Sequence, residues 1–239
     1  MTMGYSNSPL ITSAVDLKTK SNPRKNKNYN PSGNISKITI HHMAGRMTGK
    51  ACAEMHARED RKASANYYIG FDGDICLGVP EERRAWTSSS PTNDYLAITI
   101  EVSNDCNGEP WTVSEKSFKA LIDLCTDICI RNGIESIKFT SNKDGNLTMH
   151  RYFTKTACPG DYLASKFPEI AEKINANLSA DGPIDNEAVY YTVKKGDTVY
   201  RICVRNNISI AEIKELNPQF ETRPGGVSRI YVGERLRVH

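Results

Sequence analysis

The chain has 239 residues, 38% of them hydrophobic and 25% charged, with a formal net charge of +3. This composition suits one large domain, or a medium one with a small companion, and excludes global disorder. It also gives no case for nucleic acid as a partner, because the one basic run, PRKNKN at 23–28, is short, diluted with Asn, and reads as a solvated tail. No window approaches the ~18 apolar residues of a membrane span. Seven cysteines scattered from 52 to 203 form no disulfide framework. The start MTMGYSNSPLITSAV lacks the basic head and apolar stretch of a secretory signal. Together these features place the chain in a cytoplasm, with non-classical export as the alternative.

From about Ile35, short apolar strands alternate with helical stretches. KITIHH, GKACAEMHARED, ANYYIGFDGDICLGV, LAITIEV and SEKSFKALIDLCTDICIRNG read as strand, helix, strand pair, strand and helix. Strands interleaved with helices predict an α/β domain with a mixed β-sheet flanked by helices, and FDGD at 71–74 is the turn of a hairpin. Cys125 and Cys129 continue the apolar stripe of Phe118, Leu121, Ile122 and Ile128, so both are core residues of an amphipathic helix. YLASKFPEIAEKINANL predicts one closing helix, and the apolar-poor SADGPIDNE at 179–187 predicts a linker.

Two strands share a pattern. In KITIHH and LAITIEV the isoleucines take one face, while Thr39 and His41, and Thr99 and Glu101, take the other. Repeated use of Ile-Thr-Ile-X suggests neighbouring strands that floor a polar site with His41 near Glu101. Further along, TMHRYFTKTACPGDY puts His150 eight positions before Cys158. A Cys and a His can be a thiolate with its base, two ligands of a metal, or a buried thiol and a surface imidazole. His41, His150 and Cys158 with a nearby carboxylate fit a catalytic zinc that has three protein ligands and an open fourth position. The nucleophile reading leaves His41 and Glu101 without a role.

ITIHHMAG, SANYYIGFDG, AITIEVSND and MHRYFTKTACPGDYL, in that order, resemble the zinc-dependent N-acetylmuramoyl-L-alanine amidases related to phage lysozyme-type amidases and animal peptidoglycan recognition proteins. The likeness covers roughly residues 35 to 170. It implies Zn2+ on His41, His150 and Cys158, with Glu101 as the acid-base group and His42 in a supporting or core position. Two departures stand out. A tyrosine that some members carry before the Asp-Gly turn falls on Ala65, with Tyr67 and Tyr68 out of register, and a lysine that some members carry falls on Thr156, which can donate a hydrogen bond but brings no charge. Trp86 in AWTSSS and Asn66 are the expected substrate-binding residues of the cleft.

The last fifty residues have their own pattern. YYTVKKGDTVYRICVRNNISIAEIKELNPQF followed by IYVGERLRVH predicts strand, helix, helix and strand. This unit closely resembles the LysM repeat, whose likeness implies binding to glycans containing N-acetylglucosamine, with Gly196, Asp197 and Thr198 as ligand contacts. The expected organisation is a catalytic domain at 1–178, a linker at 179–187 and a βααβ LysM domain at 188–239. By resemblance the chain is a phage or prophage endolysin that cleaves the N-acetylmuramic acid to L-alanine amide of bacterial peptidoglycan, held in the host cytoplasm until released to the wall. A non-catalytic recognition protein and a cysteine peptidase acting on stem peptides are the alternatives.

Overall fold

A computed structural model describes residues 5–179, 190–206, 208–222 and 229–238. The chain divides near residue 180 into two compact units. The 179–187 linker lies outside the described residues except for Ser179.

The first unit is built on a six-stranded sheet. In chain order its main elements are β1 (Ser13–Ala14), β2 (Ser21–Pro23), β3 (Lys37–His42), α1 (Gly49–Ala57), β4 (Tyr67–Ile69), β5 (Ile75–Leu77), β6 (Arg83–Ala85), α2 (Pro91–Asp94), β7 (Ala97–Val102), α3 (Glu115–Asn132), β8 (Leu147–Met149), α4 (Asp161–Ser165) and α5 (Phe167–Ser179). The sheet order is β1-β5-β4-β7-β3-β8, with β2 and β6 forming a separate pair. Strands β4, β7, β3 and β8 run parallel, and β5 closes antiparallel on β4 across the FDGD turn. The sheet is therefore mixed, as the alternation of strands and helices requires.

A sheet with a parallel centre is covered on both faces, and the two faces here differ in chemistry. Ile38, Ile40, Ile98, Ile100 and Val102 join Leu121, Leu124, Cys125, Ile128 and Cys129 of α3 and Phe167, Ile170 and Ile174 of α5 in the main core. Helix α3 starts at Ser114, whose hydroxyl accepts the Ser117 N–H at 3.1 Å, and stops at Gly133, whose φ of +66° suits the left-handed cap. On the other face α1 packs through Cys52 and Ala53 against Tyr68, Cys76 and Ala65. Lys20 reaches over to carbonyls at and just beyond the C-terminal end of α1, donating to His56 O at 2.7 Å, to Arg61 O at 2.6 Å and to Arg58 O.

Two expectations are corrected. The segment predicted as one closing helix is two, α4 and α5, broken at Lys166. Pro168 has no N–H to offer the Ala164 carbonyl four residues back, so the helical ladder cannot run through it. The basic run at 23–28 is not a solvated tail at Arg24. That side chain is fully buried and donates to the carbonyls of Glu81 (2.6 Å), Asp94 (3.3 Å), Tyr95 (3.1 Å), Ala97 (2.9 Å) and Arg83 (2.9 Å). It ties the N-terminal segment to β6, α2 and the start of β7, and desolvation lowers its pKa to about 10, leaving it charged at neutral pH.

The second unit contains β9 (Tyr190–Thr192), α6 (Val199–Asn206), α7 (Ile210–Leu216), a short α8 (Gln219–Thr222) and β10 (Arg235–Arg237), with β9 and β10 antiparallel. Val193, Val199, Ile202, Cys203, Ile213, Phe220, Leu236 and Val238 form its core. Ser209 and Glu212 make a reciprocal capping box on α7. Asn217 is buried and joins α7 to β10: its amide donates to Ile213 O and Arg237 O, both at 2.7 Å, and its oxygen accepts the Arg237 N–H at 2.9 Å. The βααβ pattern read from the sequence is present, with α8 added before the final strand.

Candidate metal centre and cleft

The polar face of the sheet carries two rows of side chains. In the inner row, Thr39 pairs in register with Thr99 on one side and Thr148 on the other, and the Thr39 and Thr148 hydroxyls lie 2.9 Å apart. Asn93 of α2 covers them, donating to Thr39 Oγ1 at 2.8 Å. The next row outward is Tyr68, Glu101 and His41, which are direct partners across β4, β7 and β3. His150 follows β8, one residue past the Ile40 and Met149 pair, so its chain position continues the row.

The ligand atoms of His41, His150 and Cys158 lie within 4.8 Å of one another. The two imidazoles meet at 4.7 Å between ring centroids, and Cys158 Sγ stands 3.6 Å from His41 Nδ1. On a tetrahedral zinc with Zn–N bonds of about 2.0–2.1 Å and a Zn–S bond of about 2.3 Å, nitrogen and sulfur ligands sit roughly 3.5 Å apart. The donor set therefore fits a zinc ion in both chemistry and spacing. The surroundings agree: His41 Nε2, His150 Nε2 and Glu101 Oε2 are buried without a hydrogen-bond partner, a cost that a bound cation and its ligands can offset.

Burial sets the protonation of these groups. Desolvation lowers the pKa of His41 well below the usual imidazole value, reinforced by His150, and also lowers that of His150 itself. Both rings are held neutral, the form that binds metals. Desolvation alone raises the Glu101 carboxyl from 4.5 to about 8. Burial likewise raises the Cys158 thiol, with Glu101 adding to the rise, the reverse of what a free thiolate nucleophile needs.

The Cys158 limb is fixed from several directions. Its N–H donates to Thr156 Oγ1 at 3.2 Å, and the His42 N–H points at its sulfur at 3.5 Å. Gly160, at φ +81°, leaves room for its neighbours: a Cβ there would stand 3.3 Å from the His42 ring and 3.4 Å from Trp111 Cβ. His42 thus packs against the Cys158 limb through its N–H and its ring. Thr156 sits beside Cys158 with its oxygen already accepting that backbone bond.

Other sequence-derived candidates fall differently. Asn66, expected as a substrate contact, is fully buried: its amide donates to Val79 O at 2.9 Å and its oxygen accepts the Thr99 N–H at 3.1 Å. Trp86 is half-buried with its indole N–H donated to Asn22 Oδ1 at 2.7 Å. Tyr67 faces the opposite side of the sheet, donating to Glu81 Oε1 at 2.5 Å. Tyr68 is buried, with its hydroxyl 2.8 Å from His56 Nδ1 and accepting the Ala65 N–H at 2.8 Å. Trp111, which no sequence pattern singled out, lies edge-on to His42 at 5.7 Å and is half-exposed at the rim of the cluster. Its φ of +55° is rare for a bulky residue and is held by the bonds from Trp111 N–H to Gly108 O and from the Asn104 amide to Trp111 O.

In the second unit the three expected contacts separate. Gly196 adopts φ +89° in an exposed turn with open space around it. Asp197 is turned inward: Oδ2 accepts from Tyr191 Oη and the Lys194 N–H, both at 2.8 Å, and Oδ1 from Arg205 at 2.8 Å. The carboxylate shapes the turn, and those bonds hold its pKa low. The Thr198 hydroxyl accepts the Arg201 N–H at 3.2 Å at the start of α6. Among the described residues no helix is long and apolar enough to cross a membrane.

Residues 31–161 match the N-acetylmuramoyl-L-alanine amidase family, and residues 191–239 match the LysM domain. The N-acetylmuramoyl-L-alanine amidase XlyB of Bacillus subtilis (strain 168) is 24% identical over 187 residues, spanning 75% of this chain and 56% of XlyB. The chain therefore covers little more than half the length of that curated relative. Two solved structures share the fold at low identity. A point mutant of PlyL superposes with a TM-score of 0.52 at 14% identity, covering 70% of this chain and 98% of its own. A selenomethionine derivative of AmpD gives 0.50 at 16% identity, covering 71% and 99%.

Proposed function

The chain belongs to the N-acetylmuramoyl-L-alanine amidase family, and from that membership we propose that it is an endolysin-type peptidoglycan hydrolase: a zinc amidase joined to a wall-binding LysM domain. The observation that carries the proposal is the cluster of His41, His150 and Cys158 beside Glu101, the in-register partner of His41, with His41 Nε2, His150 Nε2 and Glu101 Oε2 buried without partners.

His41 and His150, held neutral, and Cys158 would hold the ion, and zinc so bound would supply a Lewis acid and lower the pKa of a coordinated water. Glu101 does the proton work. It is in register with His41, beside the position the ion would take, and as the carboxylate it would accept the proton of a coordinated water. The same carboxyl can then deliver that proton to the amine of the departing L-alanine. The hydrogen-bonded threonine row beneath keeps the floor rigid. Thr156 would donate its hydroxyl proton to the oxygen that gains charge, while its oxygen continues to hold the Cys158 N–H.

The LysM unit would bind N-acetylglucosamine-containing glycan through the exposed turn at Gly196, with Asp197 fixing the turn. A cysteine peptidase is disfavoured by the raised Cys158 thiol, and a purely recognising protein by the intact ligand trio. The test is digestion of purified walls with and without a chelator. New amino groups on alanine, lost on chelation and restored by zinc, are the expected result. New reducing sugar, or cleavage insensitive to chelation, would overturn the reading.

A further inference from the structure

The two ligands nearest in sequence, His150 and Cys158, sit on separate limbs: a single 3-10 turn at His150–Tyr152 and the bend that enters α4. One residue joins them. Arg151 follows His150 directly, and its backbone N–H donates to Cys158 O at 3.2 Å. Its side chain then folds over the same limb. Nε donates to Cys158 O at 3.4 Å, Nη2 donates to Ala157 O, and Nη1 pairs with Asp161 Oδ1 at 2.9 Å.

We infer that Arg151 is a positioning residue for the metal centre, a guanidinium strap that holds the Cys158 sulfur at coordinating distance from His41 and His150. The inference rests on the metal reading above. Three features favour this role over general stabilisation. The acceptors are the carbonyls of the ligand and of the residue before it, so the strap acts on the limb that carries the sulfur. A planar fork suits several acceptors at once, which an ammonium on a flexible stem does not. The Asp161 carboxylate is 94% exposed, so its ion pair adds little and the carbonyl bonds carry the effect. Groups that orient a metal's ligands in this way change its affinity by about 10–100-fold.

The experiment uses the full chain freed of metal and measures zinc affinity by competition with a chromophoric chelator, alongside the visible spectrum of the cobalt-loaded protein. Arg151→Ala is expected to weaken zinc binding by on the order of 10–100-fold and to reduce the thiolate-to-cobalt band. Arg151→Lys should recover only part of the loss, because it keeps the charge but not the fork, and Asp161→Asn should bind as the wild type does. Melting with and without zinc separates positioning from bulk stability: the rise in Tm on adding zinc should shrink in Arg151→Ala. An equal fall in both states with an unchanged zinc increment, or wild-type affinity in Arg151→Ala, would overturn the inference while leaving the metal site intact. Failure of the wild-type chain to bind zinc would instead overturn the metal reading, and this inference with it.

Discussion

Glu101 on β7 is the direct parallel partner of His41 on β3, so a carboxyl and a candidate metal ligand share one face of adjacent strands at the same level. The backbone register, not a flexible loop, sets their separation, which suits a group that must meet a reacting atom repeatedly in the same place. Glu101→Ala is expected to keep its zinc and lose about a hundredfold or more in the rate of amide cleavage, the usual scale for a positioned acid-base group. Metal analysis and turnover on a soluble muramyl peptide check both halves. Near-normal turnover would move the proton role to another residue.

The ligand trio gives a second expectation. Cys158→Ser and His150→Ala should each lose stoichiometric zinc and wall lysis together, because a site with two of its three ligands cannot hold the ion tightly. The LysM unit has its own core of Val199, Ile202, Ile213 and Leu236 and should fold unchanged in both variants. Metal content by mass spectrometry, with pull-down on walls, reads the two effects separately.

The raised carboxyl predicts a pH effect on stability in metal-free protein. Glu101 goes from 4.5 to about 8 on burial, so between these values the folded state holds a proton that the unfolded state has released. This group's contribution to stability must then fall as pH rises from about 4.5 to about 8; below the ordinary imidazole value His41 and His150, held neutral by burial, oppose it, so the net fall shows above that value. His41 works in the opposite sense at the acid end: kept neutral by burial, it costs stability as pH drops below the ordinary imidazole value. Glu101→Gln should flatten the first slope and leave the second. Melting curves of the chelated protein across this range decide it, and an unchanged slope would mean that Glu101 is solvated in solution.

How much of this was legible in the sequence depended on whether a signal was local. The Ile-Thr-Ile-X alternation foretold which side chains of β3 and β7 share a face, since strand periodicity is a local rule. His150 and Cys158 stood out by their spacing. The break before α5 was legible in principle, because Pro168 announces it. Arg24 and Asn66 were not, because their partners lie far away in the chain: Arg24 bonds carbonyls near 81–97, and Asn66 bonds Thr99 and Val79. A polar residue bound for burial looks in sequence like any surface residue. Trp111 was missed because a loop's φ angles and its contact with His42 leave no periodic trace.

Arg24 supplies a stability test that the sequence alone would not have suggested. Arg24→Met keeps much of the apolar stem and removes the guanidinium donors from five carbonyls, of which Tyr95 O keeps the Asn30 amide and Arg83 O keeps the Asn66 amide. Each buried group left without a partner costs roughly 1–3 kcal/mol, so a loss on the order of 3–5 kcal/mol is expected after partial rearrangement. Urea unfolding should show the first unit's transition shifted to lower denaturant and the LysM transition in place. A shift below about 1 kcal/mol would mean that water or other donors reach those carbonyls.

The last expectation concerns the division of labour. Each unit has its own core, and the candidate centre draws only on residues between 39 and 160, so a chain ending at Ser179 should fold and keep its zinc. The LysM unit should add local concentration. A catalytic unit tethered to glycan meets stem peptides at an effective concentration set by its linker, and a free one meets them only by diffusion. Removing residues 180–239 should therefore reduce lysis of intact walls far more than cleavage of a small soluble muramyl peptide, which offers no second site to hold. Substituting within the Gly196 turn of the full chain should reproduce the wall-specific loss, whereas Asp197→Ala should lower the stability of the LysM unit, because Tyr191, Lys194 and Arg205 all lose their acceptor. If the truncated chain binds and lyses whole walls as well as the full chain does, the surface of the first unit around Trp111 and the metal cluster must supply all of the affinity.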